Sequence, residues 1–340
     1  MNQTEFQLAV ILRKPRPTLH LILAVTLAFP LLAISVSVSN TGASEHTSRA
    51  FQGVTLTTRS VTVPRKVTEH IVQIDLTAPG LSFKLTPHLG SADTIRQTTL
   101  DFLNQEKAQL GVNVHFFTPF PSQEVNVNVV GLAVSEGRMY SAFEPQPVAA
   151  GLPDQSYAIV PFAPALNIDQ SNHVMIVHRD PAYADNQHTL ENVALWNAFS
   201  GSAQIVSNGV KTIPDFGPGG LKASRHYDVS HSWYSERRAR TAIGVTADRK
   251  TLVLFVADNA GGSQGMTVDE VADVLIRDFQ IADALNMDGG GSSTLVMQDP
   301  ATQIGRVVNV SSDNPRGRAV GSNLAIFARP NPNPAAVSKN

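Results

Sequence analysis

Between residues 67 and 328 the chain is a succession of short apolar runs cut by polar turns, and two segments switch to helical spacing. Residues 69–76 and 81–87 read as strands joined by Ala78-Pro79-Gly80, a tripeptide that favours a turn over an extended chain. Residues 98–109 hold Leu100, Leu103 and Ala108 partly in helical register, with Gly111 just beyond, which predicts a helix. The run 111–117 predicts a buried strand that Pro119 and Pro121 end. Shorter strands are expected at 127–134, 157–161, 173–177 and 204–207, in a middle region whose segments 182–192 and 214–236 are polar enough to be exposed or to cover a site. In the last third, 241–246 and 251–257 pair around Asp248-Arg249-Lys250. Thr267 and Glu270 have the spacing of a capping box, and Val268, Val271, Ala272, Leu275, Ile276 and Phe279 make one stripe, so a helix starts there. Strands at 282–287, 294–297 and 323–328 complete the pattern. Strands and helices mix without a regular alternation, which predicts an α+β fold with a mixed β-sheet core and few helices.

The N-terminus follows a different rule. Arg13, Lys14 and Arg16 precede the uncharged run 21–38, and small polar residues follow it, the layout of a secretory signal. Eighteen apolar residues are also just enough to span a bilayer, although Pro30 disfavours a straight helix. Residues 1–43 are therefore expected to be a signal peptide or N-terminal membrane anchor, which puts the protein in the periplasm, in the cell envelope or outside the cell. Residues 44–66 read as a polar linker, with 54–56 and 61–63 able to start a strand; 67–329 form the main domain, and 330–340 a disordered tail. A net charge of -2 gives no reason to expect nucleic acid as a partner. The absence of cysteine excludes disulfides and thiolate metal sites. The ten histidines show no zinc-binding spacing and no EF-hand loop is present, so neither a metal nor a cofactor is expected.

The stretch Asn286-Met287-Asp288-Gly289-Gly290-Gly291-Ser292-Ser293-Thr294 interrupts two apolar runs with three glycines. Each glycine forfeits about 0.5–1 kcal/mol relative to alanine in a regular element, so bare backbone must be wanted here. One reading is an anion cradle built from the amides of Gly289, Gly290, Gly291 and Ser292, with Asp288 at its mouth; the other is a tight hairpin or bulge. The spacing fits neither a Walker loop nor a dinucleotide fingerprint. Arg240 opens a strand and offers a permanently charged fork for phosphate or carboxylate, while Arg237 and Arg238 read as a solvated charge run. Asp258 ends a strand and pairs in principle with Asp288 as acid and base, or simply makes an Asx turn. Glu270 is a third carboxylate, already accounted for by the capping box. If 111–117 is a strand, Asn113, His115 and Phe117 share one face, where Asn113 and His115 could hold sugar hydroxyls; a lone histidine is more often structural, and Phe116 is most simply core.

These residues resemble the phosphodiester glycosidase family. The resemblance lies in Arg240-Thr241-Ala242-Ile243-Gly244, Ala257-Asp258, Gly265 with Glu270-Val271-Ala272, and the glycine stretch 286–294. Ser311-Ser312-Asp313 is similar to the family's Pro-Ser-Asp, Arg318 to the arginine before its last strand, and Asn113-Val114-His115-Phe116-Phe117 to its Asn-Gly-Gly-Phe-Phe. Ser200-Gly201 and Asn208-Gly209 resemble a further segment. The resemblance implies hydrolysis of the bond between a sugar's anomeric carbon and a phosphodiester oxygen. Arg240, Arg318, Asn113, Asp313 and the glycine turn would then hold a sugar-phosphate or glycan substrate. Asp288 would lead the chemistry, with Asp258 and Glu270 behind it. Val114 and His115 in place of Gly-Gly would fill space beside Asn113 and alter the sugar accepted. An alternative of another class is a secreted protein that binds a glycan or assists envelope polysaccharide assembly without cutting. An ordinary glycosidase is a third reading, but a neutral glycoside gives the arginines no anion.

Overall fold

A computed structural model of the chain describes residues 42–145 and 157–333, together with the backbone of Ala336–Lys339. Residues 1–41 of the expected signal or anchor lie outside the described residues, and Ala43 already opens the first strand. The fold is α+β as expected: among the described residues, two α-helices and many short strands in several sheets.

The largest sheet has nine strands, each antiparallel to its neighbours. From one edge they are Val210–Lys211, Ala203–Ser207, Ile281–Asn286, Arg240–Thr246, Thr251–Ala257, Val67–Asp75, Val54–Val61, Ala43–Phe51 and Ala336–Lys339. Period-two alternation assigns its faces. Ile243, Val245, Leu252, Leu254 and Val256 point into a core shared with a second, five-stranded sheet, where they meet Leu110, Val112, Leu295, Leu324 and Ile326. Ala242, Val253, Phe255 and Ala257 point the other way, under helix α2 (Val268–Phe279). Helix α2 starts at the capping box of Thr267 and Glu270 and buries Val268, Val271, Ala272 and Leu275, as its stripe predicts. The second sheet runs Gly305–Val307, Leu295–Gln298, Leu110–Asn113, Asn323–Phe327, Ser82–Leu85. Helix α1 (Thr99–Glu106) lays Leu100, Phe102 and Leu103 on its outer face.

Four expectations change. The segment read as a linker is two strands, Ala43–Phe51 and Val54–Val61, added to the large sheet. They are polar because they lie near its edge, and Val54 and Leu56 alone in the second strand are fully buried. The tail bears a strand as well, Ala336–Lys339, paired with Ala43–Phe51. The strand expected over 111–117 stops at Asn113, and Val114, His115 and Phe116 continue as irregular chain before Phe117–Thr118. Residues 157–161 form turns, not a strand.

Candidate active site

The glycine turn is the crossing from one sheet to the other: the chain leaves the large sheet at Asn286 and enters the second at Leu295. Both sheets grip it. The Met287 and Gly290 amides donate to Thr241 O and Ala239 O, each at 2.8 Å, and the Asp288 amide donates to Val114 O at 2.9 Å. Asn113 completes the grip. Its side-chain amide donates to Asp288 O at 2.8 Å, while its oxygen accepts from the Thr294 amide at 3.0 Å and the Thr241 hydroxyl at 2.9 Å. A fully buried asparagine thus clamps both ends of the turn and fixes where Asp288 emerges. It is a positioning residue rather than a contact for sugar hydroxyls.

Gly290 takes a left-handed conformation, φ 60°, at the head of a single 3-10 turn, Gly290–Ser292. Gly291 is needed for space: a Cβ there would collide with the Arg318 guanidinium and press on Asp313. The cradle expected from four amides is mostly committed inside the protein. Gly289 donates to the Asp288 carboxylate, Gly290 to Ala239 O and Ser292 to Gly289 O. The turn therefore shapes the site more than it binds an anion through its backbone.

The Asp288 side chain faces a cavity of about 240 Å³ walled by Phe116, Phe117, Phe120, Tyr157, Tyr227 and Trp233, with the three glycines as floor and Arg318 and Arg238 at its margin. Burial among these rings pushes the Asp288 carboxyl up to about 7, against the opposing pull of the Ser292 hydroxyl, Arg318 and the Gly289 amide. A carboxyl that changes charge near neutrality, in an aromatic cavity beside a cation, is poised for proton transfer. Arg318 is held by Asp313, which accepts from its Nε at 2.8 Å, and by the Ser292 hydroxyl 3.4 Å from Nη1. Its guanidinium lies over the Phe120 ring, 4.7 Å from the centroid. Among the described residues Nη2 has no hydrogen-bond partner, so this arginine keeps a donor for a ligand.

Other candidates lie elsewhere. Arg240 is wholly buried behind the cavity wall, donating to Met266 O at 3.0 Å, Trp233 O at 2.8 Å and Glu236 O at 2.5 Å. Its guanidinium stacks on Trp233 at 4.2 Å, and burial lowers its pKa to about 9. It is a brace for the loop that carries Trp233, not a ligand for phosphate. Asp258 accepts from Asn309 Nδ2 at 3.2 Å and the Val310 amide at 3.1 Å and lies 3.0 Å from His70 Nε2, so it ties the 309–310 loop to the large sheet. Glu270 closes the capping box and receives Arg65 at 2.5 Å. Neither carboxylate reaches the cavity. Val114 is packed in the inter-sheet core and His115 sits between Leu132 O (3.0 Å) and the Ser200 amide (3.1 Å), with its pKa lowered to about 4 by burial. Neither fills the cavity as expected from the sequence, because the strand ends before them.

A family model for phosphodiester glycosidases matches residues 106–327, which include every residue of this cavity. The chain belongs to the phosphodiester glycosidase family. A human member, N-acetylglucosamine-1-phosphodiester alpha-N-acetylglucosaminidase, is 47% identical over 60 residues, which is 17% of this chain and only 11% of that protein. The zebrafish protein of that name, described as a catalytic domain auto-inhibited by its pro-peptide, shares the fold with TM-score 0.55 at 17% identity over 84% of this chain and 89% of that one. A hypothetical protein from Synechocystis matches with TM-score 0.50 at 16% identity, over 82% of this chain and 62% of that one. Within the phosphodiester glycosidase fold, sequence reading missed Trp233, Tyr227, Tyr157, Phe120 and Arg238 as walls of the cavity. The available signal was four aromatic residues, Phe216, Tyr227, Trp233 and Tyr234, in the largely polar stretch 214–236 that was expected to cover a site.

Proposed function

We propose that the protein hydrolyses the C1–O bond of a sugar-1-phosphate diester and does so outside the cytoplasmic membrane. The observation that carries the reading is the pairing of one buried carboxyl, Asp288, with one braced arginine, Arg318, in an aromatic cavity. The diester phosphate sits against Arg318, whose fixed charge meets the second negative charge that develops as the C1–O bond breaks. The sugar lies against the rings of Phe116 and Trp233, which suit its C–H faces. Ionised Asp288 takes a proton from water as the water oxygen bonds to C1; the C1–O electron pair leaves with the phosphate as a monoester. Phosphate is a good leaving group and needs no second acid, which fits a cavity lined by one carboxyl among the described residues. The basic, apolar and small-polar order of residues 13–44 supports export.

The test is release of reducing sugar and phosphomonoester from a panel of sugar-1-phosphate diesters, beside the matching neutral glycosides. Turnover of diesters alone supports the reading. Cleavage of neutral glycosides at equal rates would overturn it, and calorimetric binding without turnover would favour a glycan-binding protein instead.

A further inference from the structure

A second and larger cavity, about 760 Å³, opens beside the first, and Tyr157, Tyr227 and Arg238 line both. A molecule bound at Asp288 that extends past those three residues enters it. Its walls combine flat rings with positive charge. Tyr157 stacks on Tyr227 with centroids 4.8 Å apart, and Tyr227 stacks on His231 at 5.4 Å. Arg238 donates to the Tyr227 hydroxyl at 3.0 Å, which fixes the middle ring. Glu236 offsets part of the charge, since it pairs with Arg238 at 3.0 Å and with His231 at 2.5 Å. Arg225 has no such offset: it lines the cavity, is exposed, donates Nε to His226 at 2.8 Å, and has no carboxylate within ion-pair distance among the described residues.

We propose that this cavity is the aglycone subsite and that it selects an aglycone carrying its own negative group, such as a phosphorylated or uronic sugar, with Arg225 as the specificity-determining contact. The inference rests on the proposed phosphodiester glycosidase reading, because it assumes that the diester phosphate lies against Arg318 with C1 beside Asp288. A neutral aglycone would leave Arg225 with only water and a histidine. A second anion would give its guanidinium a charge-assisted, two-pronged contact while the aglycone ring lies on the Tyr157–Tyr227 stack.

Three diesters of one sugar-1-phosphate test this, with aglycones that are a neutral sugar, a 6-phosphorylated sugar and a uronic acid. The expected result is kcat/KM about tenfold higher for the charged aglycones than for the neutral one, with the advantage shrinking as salt is raised. Arg225→Ala should remove that advantage and leave the neutral diester unchanged; Arg225→Glu should reverse it. The phosphorylated and uronic arms tell phosphate from carboxylate as the favoured group. Equal kcat/KM for all three diesters would overturn the subsite, as would an Arg225→Ala effect shared by the neutral one. Failure to cleave any of the three sinks the parent reading instead, which the neutral diester reports by itself.

Discussion

Asp288→Asn separates the chemistry of the site from its stability, because the amide keeps the shape of the carboxyl but never ionises. In the folded protein the Asp288 carboxyl is pushed up to about 7 from an ordinary 3.8. The unfolded chain ionises near the ordinary value. Between 3.8 and about 7 the folded state therefore holds one more proton than the unfolded state, and stability falls as pH rises through that window. At about 1.4 kcal/mol per tenfold of proton affinity, the gap costs the wild type about 4 kcal/mol once the pH is above 7. Urea unfolding of both proteins at pH 4 and pH 8 measures it. The variant should match the wild type at pH 4 and exceed it by up to about 4 kcal/mol at pH 8. Over the same range wild-type kcat/KM should rise through about 7 as the base form appears, while the variant stays inactive. A stability difference that is the same at pH 4 and pH 8 would refute the buried-carboxyl reasoning, and a variant with wild-type turnover would refute the role of Asp288.

Arg318→Ala should lower kcat/KM on a diester by about a hundredfold or more, since a preorganised donor to developing charge is lost; a steady-state assay in which kcat/KM barely moves would contradict that. Asn113→Ala should cost about 2–4 kcal/mol in denaturant unfolding, because it orphans the buried Thr294 amide, leaves the Thr241 hydroxyl only the Ser293 hydroxyl and frees the Asp288 carbonyl. Activity should fall with it even at temperatures where the variant is folded. Glu270→Ala should cost about 1 kcal/mol of stability through the lost cap and Arg65 pair, with kcat/KM unchanged. A large catalytic defect in that variant would return Glu270 to the site.

The strands and helices of the last third were legible because their apolar spacing is strong on both faces: Leu252, Leu254 and Val256 alternate with Val253, Phe255 and Ala257, and all are buried. Helix α2 was legible down to its first residue because Thr267 and Glu270 satisfy the end of the helix locally. The two strands of 43–61 were not, since Thr, Ser and charged residues dominate them and a neighbouring strand supplies what apolar contrast does not. At the site, three glycines after an acid pointed to Asp288, which lines the cavity. Arg240 misled because a sequence displays its charge but not the carbonyls of Trp233, Glu236 and Met266 that surround it. Asp258 misled in the same way, through His70 and Asn309. Arg238, read as solvated, lies on the cavity margin, where it donates to the Tyr227 hydroxyl.

The antiparallel partnership of Thr251–Ala257 with Val67–Asp75 joins stretches separated by more than half of the chain. Closing so long a loop is slow, because the entropy of closure must be spent before any contact across it forms. The walls around Asp288 come from 116–120, 157, 227–238 and 318, so they assemble only after that closure and the docking of the two sheets. Refolding should thus recover helical signal well before it recovers diester cleavage, and turnover becomes a clock for the last step of folding rather than for collapse.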